Sequence, residues 1–299
     1  MGHNHDHHHH HHDGIDLNNA FKIGIGLNII FTIIEVAYGY MANSMALVAD
    51  AGHNFSDVLA LAFSWIGVII SQRKPTLRFT YGFRRSTILI AMLNTVLLLV
   101  AMGFILWETI HRLGKPLAIK SEDVITIAAI GIVINGFTAW LFVKGKKSDL
   151  NIRSAFVHFV ADALVSLGVV IAGVLMLLTG ITWIDSVVSF IIIVVILYST
   201  IHLLIDSINL GLDAVPEHID IEAVRTYLVN LPEVSTIHDL HIWALSTTDA
   251  ALTVHLNTNT QTDNSFIYQV QHELHGRFHI EHATIQIEQG DENCRNNCN

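Results

Sequence analysis

Six long apolar segments govern what this chain can fold into. They run approximately over residues 20–41, 44–71, 86–111, 124–143, 150–178 and 183–204. Each is long enough to cross a hydrocarbon core that takes ~20 helical residues. A backbone in lipid must satisfy its own polar groups, so runs of this length are expected as helices. Only 14% of the 299 residues are charged, against roughly 25% in a soluble domain. The deficit lies before about residue 209; beyond it the composition is polar and mixed. A membrane domain followed by a smaller soluble domain is the expected organisation.

The loops carry the orientation. Arg73, Lys74, Arg78, Arg84 and Arg85 lie between spans two and three, and Lys144, Lys146 and Lys147 between spans four and five. The one-to-two and five-to-six turns have no Lys or Arg, and in the three-to-four loop Arg112, Lys115 and Lys120 are offset by Glu122 and Asp123. Positive loops stay inside, which places both termini in the cytosol. The polar opening stretch does not have the pattern of a secretory signal. It is instead a His-rich tract, His7–His12 unbroken, read as a flexible metal-binding tail with an expression tag as the competing origin.

After residue 216 the periodicity changes. A helix is expected over 221–231, strands over 234–245 and 250–257, a helix over 265–278 and a strand over 283–288. That α-β-β-α-β order suggests a small α+β layer fold. The full expectation is a His-rich cytosolic tail (1–18), a six-helix polytopic membrane domain (19–209), a cytosolic metal-binding domain (210–290) and a tail carrying the cysteines (291–299). Cys294 and Cys298 are the only two cysteines. They form no disulfide framework, as suits a reducing compartment.

Ionisable residues inside a span are costly and point to function. Span two contains His53-Asn-Phe-Ser-Asp57 and span five contains His158-Phe-Val-Ala-Asp162. Residues at i and i+4 share a helix face, so each helix offers one imidazole and one carboxylate to one side. Two such faces supply four ligands, the number tetrahedral zinc takes. The bland alternative is a His–Asp hydrogen bond within one helix; two intramembrane copies argue against it. Small residues beside them (Ala49, Gly52, Ser56; Ser154, Ala155, Ala161) are expected to let the helices approach. Imidazole with carboxylate, and no thiolate, suits zinc better than Mg, Ca or Cu(I), with Co(II) and Fe(II) left open. Metal binding to such groups expels protons and protons expel metal, with histidine as the natural proton partner. Glu35 and Asp50 are further intramembrane acids, serving either a proton path or a wet cavity.

At this point the chain resembles the cation diffusion facilitator family, in its zinc-efflux branch. The resemblance rests on Asn43-Ser-Met-Ala-Leu-Val-Ala-Asp-Ala-Gly-His53-Asn-Phe-Ser-Asp57, Tyr81-Gly-Phe83, Ala155-Phe-Val-His158-Phe-Val-Ala-Asp162, Ile237-His-Asp-Leu-His-Ile-Trp-Ala-Leu245 and Thr284-Ile-Gln-Ile-Glu288. It implies six transmembrane helices, a metallochaperone-like cytosolic domain, a homodimer, and export of cytosolic Zn²⁺ in exchange for H⁺ across a lipid bilayer, the cell (inner) membrane being the expected host. The transport ligands it implies fall on His53, Asp57, His158 and Asp162. In the cytosolic domain it points to zinc at His238, His255 and Glu288. Glu281 aligns where some relatives have a histidine, which makes His282, one residue away, a further candidate ligand. Cys294 and Cys298 are added as two available thiolates. The segment Gln72-Arg-Lys-Pro-Thr76 offers no ligand where some relatives bind metal, and Ser86-Thr87 stands where an acidic residue was expected. No nucleic acid is expected among the partners, and no enzymatic activity. The rival classes are a membrane metal sensor without transport and an intramembrane metalloprotease; the latter lacks the H-E-x-x-H motif its chemistry uses.

Overall fold

A computed structural model describes residues 17–113, 118–143, 150–259 and 261–289. Most of the His-rich tail and the cysteine tail, with Cys294 and Cys298, lie outside the described residues. Six helices come first: α1 (Leu17–Met41), α2 (Met45–Ser71), α3 (Ser86–Leu113), α4 (Ser121–Phe142), α5 (Leu150–Thr179) and α6 (Trp183–Gly211). All six are long and apolar enough to cross a bilayer. Helix α6 runs past residue 204, where the apolar run was expected to end. The polar residues in its last turns are accommodated within the helix: Ser207 returns its hydroxyl to the Leu203 carbonyl at 2.8 Å.

The side chains are distributed inside out relative to a soluble protein. Ile30, Trp65, Val133 and Leu178 are exposed, whereas Glu35, Asp50, Asn54, Asn135, Asp162 and Asp185 are buried. Lipid solvates the first group, and the second must find partners inside the bundle. Two compact units are distinguishable. One comprises the chain up to Leu59 with Val100–Tyr198, the other Ala60–Leu99 with the chain from Ser199 onward.

In the first unit α4 packs against both α1 and α5. Gly131 makes this possible: a β-carbon there would lie 2.7 Å from Phe31 and 3.1 Å from the Ser166 hydroxyl. Close backbone approach through small residues is how membrane helices pack. Gly52 behaves differently from expectation. Its neighbours are Met102 and Ile105 of α3, 2.8 and 3.0 Å from a built β-carbon, and Ala161 is exposed. So Gly52 accommodates α3, and Ala161 does not mediate the approach.

Helix α2 begins at an unusual junction. Asn43 adopts a left-handed φ of 57°, and the Ser44 hydroxyl accepts the Leu47 N–H at 3.2 Å, a side-chain N-cap. The Asp185 carboxylate of α6 accepts the Ser44 hydroxyl at 2.5 Å and the Met45 N–H at 2.7 Å. A carboxylate from another helix thus neutralises the positive end of α2.

The second unit holds α7 (Ile221–Val229), β1 (Val234–Ala244), β2 (Ala250–Thr258), α8 (Asn264–Phe278) and β3 (Ile280–Gln289), in the expected α-β-β-α-β order. Both helices start at an aspartate: Asp220 accepts the Glu222 and Ala223 N–H groups, and Asp263 those of Ser265 and Phe266. The Ser265 hydroxyl, then the Phe266 amide, hold the Asp263 carboxyl below its ordinary range. The sheet order is β1-β2-β3, with β1 antiparallel and β3 parallel to β2. Strand β3 starts earlier than residue 283 because its pairing with β2 begins at Ala250–Ile280. Val224 and Leu228, with Val270 and Leu274, close over Ile242, Leu252, Val254 and Leu256 to form the core.

The same unit contains the basic segment between α2 and α3, and this segment is fastened to the domain. Arg84 pairs with Asp249 at 3.2 Å, Arg85 pairs with Asp213, and the Thr247 N–H donates to the Thr87 hydroxyl at 3.1 Å. Thr87, at the position where an acid was expected, has this hydroxyl role.

Candidate metal centre

Helices α2 and α5 bring ligand atoms of His53, Asp57 and Asp162 within 4.8 Å of one another; His158 stands beside the two carboxylates but outside that group. The His53 Nε2 lies 3.8 Å from Asp57 Oδ2 and 3.4 Å from Asp162 Oδ1. The His158 Nε2 lies 3.5 Å from Asp57 Oδ2 and 3.5 Å from Asp162 Oδ2. Each imidazole therefore faces the carboxylate of its own helix and that of the other. The two rings meet edge to face with centroids 6.2 Å apart.

None of these approaches is a hydrogen bond. Asp57 Oδ2 and both oxygens of Asp162 are buried without a hydrogen-bond partner among the described residues. Buried carboxylate oxygens left this way are costly, so the arrangement fits a site built around something placed between its members. The spacing gives the size of that object. Ligands ~2.1 Å from a tetrahedral zinc are separated by ~3.4 Å along the tetrahedron's edge, and the four N···O distances span 3.4 to 3.8 Å. Asp162 closes the site at 1% exposure, while His158 at 40% leaves it open on its side.

Behind the site stands a second polar layer. Asn54 donates from Nδ2 to Glu35 Oε2 of α1 at 2.9 Å, and Ser166 of α5 donates to Asp50 Oδ2 at 3.0 Å. Asp50 and Asn54 are spaced i, i+4 like His53 and Asp57, but engage Ser166 of α5 and Glu35 of α1 instead. Glu35 and Asp50 were recognised from sequence; Asn54 and Ser166 were not, because neither is ionisable and their partners sit on other helices. Asp185 was also missed, being an acid near a span's edge with nothing in its spacing to mark it.

In the cytosolic domain His238, His255 and Glu288 present ligand atoms within 4.8 Å of one another. Strand pairing brings them there: His238 stands opposite His255 in the β1–β2 register. Glu288 Oε1 accepts from His255 Nδ1 at 2.9 Å and its Oε2 lies 3.3 Å from His238 Nε2. That nitrogen is buried and has no hydrogen-bond partner among the described residues, so the trio fits a metal. His282 does not join it. It pairs in register with Ala251 and Glu288 with Asn257, and six strand residues put them ~20 Å apart. The His282 ring instead meets Tyr81 perpendicularly, 5.5 Å away. Asp239 is the residue sequence reasoning overlooked. At a bulge in β1 and with φ of 55°, it bonds His241 Nε2 at 2.8 Å and stands 3.7 Å from His255 Nε2.

Residues 21–210 match the model of the cation efflux transmembrane domain, and residues 216–290 that of the cation efflux protein cytoplasmic domain. The chain belongs to the cation efflux family. It is 36% identical over 276 residues to the zinc transporter ZitB of Escherichia coli K12, covering 91% of this chain and 88% of that protein. It is 32% identical over 294 residues to the cadmium, cobalt and zinc/H⁺-K⁺ antiporter of Bacillus subtilis, covering 96% and 92%. To the metal cation efflux system protein CzcD of Cupriavidus metallidurans it is 34% identical over 271 residues, covering 90% and 86%. As a cation efflux protein the chain is a multi-pass membrane transporter of divalent cations and not an enzyme. This sets aside both the pure sensor and the metalloprotease.

Proposed function

We propose that this protein exports zinc from the cytosol in exchange for protons, with His53, Asp57, His158 and Asp162 as the transport ligands. The observation that carries the reading is the buried, unpartnered oxygens of Asp57 and Asp162, faced by the His53 and His158 imidazoles across the two helices at 3.4 to 3.8 Å. Zinc requires the imidazoles neutral and the carboxylates ionised. Protons arriving from the far side compete for the same nitrogens and oxygens, and drive the ion off. A relative named as a zinc transporter and another named as a cadmium, cobalt and zinc antiporter support the choice of ion and of exchange.

In the same reading both termini are cytosolic and the cell (inner) membrane is the host. The membrane domain spans 19–209 and the cytosolic domain 210–290, between the two tails. The cytosolic domain binds regulatory zinc through His238, His255 and Glu288, with Asp239 steadying His255, and the protein works as a homodimer. The test is zinc flux into reconstituted vesicles under an imposed pH gradient. Uptake that rises with the gradient and is lost on its collapse is the expected result; zinc binding without flux under any gradient overturns it.

A further inference from the structure

Hydrogen-bond bookkeeping in the second polar layer leaves one gap. Glu35 Oε2 accepts from Asn54 and Asp50 Oδ2 accepts from Ser166. The remaining oxygens, Glu35 Oε1 and Asp50 Oδ1, have no donor among the described residues, although both residues are fully buried. Asn54, one turn after Asp50 on α2, holds the Glu35 carboxyl at 2.9 Å, which sets Glu35 beside Asp50 in the same buried layer. Two ionised carboxyls cannot hydrogen-bond to one another, since each only accepts, and two bare charges so close and so dry repel strongly. One proton placed between them satisfies both oxygens and removes one charge.

We propose that Glu35 and Asp50 form a proton-binding site distinct from the zinc ligands, and that zinc arriving at the neighbouring site expels this shared proton. The proposal rests on His53, Asp57, His158 and Asp162 being the zinc site. Asp50 lies three residues before His53 on α2, about one helical turn, which puts their β-carbons ~5–6 Å apart. The titratable residues one helical turn away are His53, three after Asp50 on α2, and Asp162, four before the Ser166 that bonds Asp50, both zinc ligands in this reading. Helix α4, which packs on α1, carries its acids Glu122 and Asp123 only in its first turn. A doubly charged ion at the ligand site therefore acts on the pair through a dry interior, where such fields are weakly screened. The proton leaves as H⁺ and the pair becomes a dianion beside the metal; when zinc departs, a proton returns. No bond other than O–H is made or broken.

The test is the zinc-minus-apo infrared difference spectrum of the purified full-length protein. Wild type is expected to lose a protonated-carboxyl C=O band when zinc is added. In Glu35→Gln and Asp50→Asn, each of which replaces the shared proton by an amide N–H, that loss should be absent. Proton release on zinc addition, read with an indicator in weak buffer, should fall by about one per protomer in both variants. The same band loss and the same proton release in the two variants as in wild type would overturn the proposal, as would the absence of any protonated-carboxyl change in zinc-binding wild type. A protein with the cytosolic ligands replaced and an otherwise unchanged chain that binds no zinc overturns the transport-site reading and this one with it. Because the wild-type spectrum alone tests the band, poor folding of one variant leaves the proposal exposed to refutation.

Discussion

The His53 imidazole on α2 stands closer to Asp162 of α5, at 3.4 Å, than to Asp57 of its own helix, at 3.8 Å. A purely structural His–Asp bond within one helix would show the reverse preference. The crossed contact makes the site a property of the α2–α5 pair, so any motion separating these helices dismantles it. That is a useful attribute for a carrier, which must bind an ion on one side and lose it on the other.

Replacing His53 by Asp exchanges a nitrogen ligand for oxygen and adds a negative charge to the site. Oxygen-rich sites suit harder or larger ions, so vesicles containing His53→Asp should take up Mn²⁺ or Cd²⁺ better relative to zinc than wild type does. Zinc uptake should persist, since carboxylate still binds it. Unchanged ion ratios would contradict the ligand role of His53.

The orientation is open to cysteine labelling. With Cys294 and Cys298 replaced by Ser, a single cysteine at Thr182 should react with an impermeant reagent in intact cells. Cysteines at Ser148 or Asn264 should react only after the membrane is opened. Labelling of the latter two from outside would reverse the direction of transport.

Asp185 anchors the first turn of α2, the helix that carries two of the proposed ligands. Asp185→Ala removes a buried acceptor of three hydrogen bonds and should cost on the order of 2 kcal/mol. Thermal unfolding in detergent should show a lower midpoint; a midpoint equal to wild type would mean that the α2–α6 bond contributes nothing.

How much of this was legible in the chain depends on which contacts are local. The six helices follow from apolar length alone, and the two His-x-x-x-Asp faces from helical periodicity. The second i, i+4 pair, Asp50 and Asn54, shares that spacing, yet its meaning appears only once α1 supplies Glu35. In the cytosolic domain Glu288 and His255 meet across parallel strands, and their pairing depends on a register that composition does not encode. His282 shows the converse. Its place near Glu281 in the sequence made it a candidate, but a strand's ~3.3 Å rise per residue carries it to the far end of β3 from Glu288. Gly52 was expected to ease α2 against α5; the bundle uses it to admit Met102.

That register yields its own prediction. In the isolated cytosolic domain, which has a core of its own, His238→Ala with His255→Ala should abolish the rise in melting temperature caused by zinc. His282→Ala should leave it intact. Zinc at a hundredfold excess over its dissociation constant stabilises a domain by ~2.7 kcal/mol, a shift readily seen by calorimetry. An unchanged shift in the double variant would remove these histidines from the ligand set.

The central claim is tested most directly by zinc uptake into vesicles carrying Asp57→Ala or Asp162→Ala, with folding checked by gel filtration. Each variant deletes one ligand without replacement, and Asp162 faces both imidazoles. Transport at background level in both, from well-folded protein, is the predicted result. Uptake at the wild-type rate in either would contradict it and place the transport site elsewhere in the bundle.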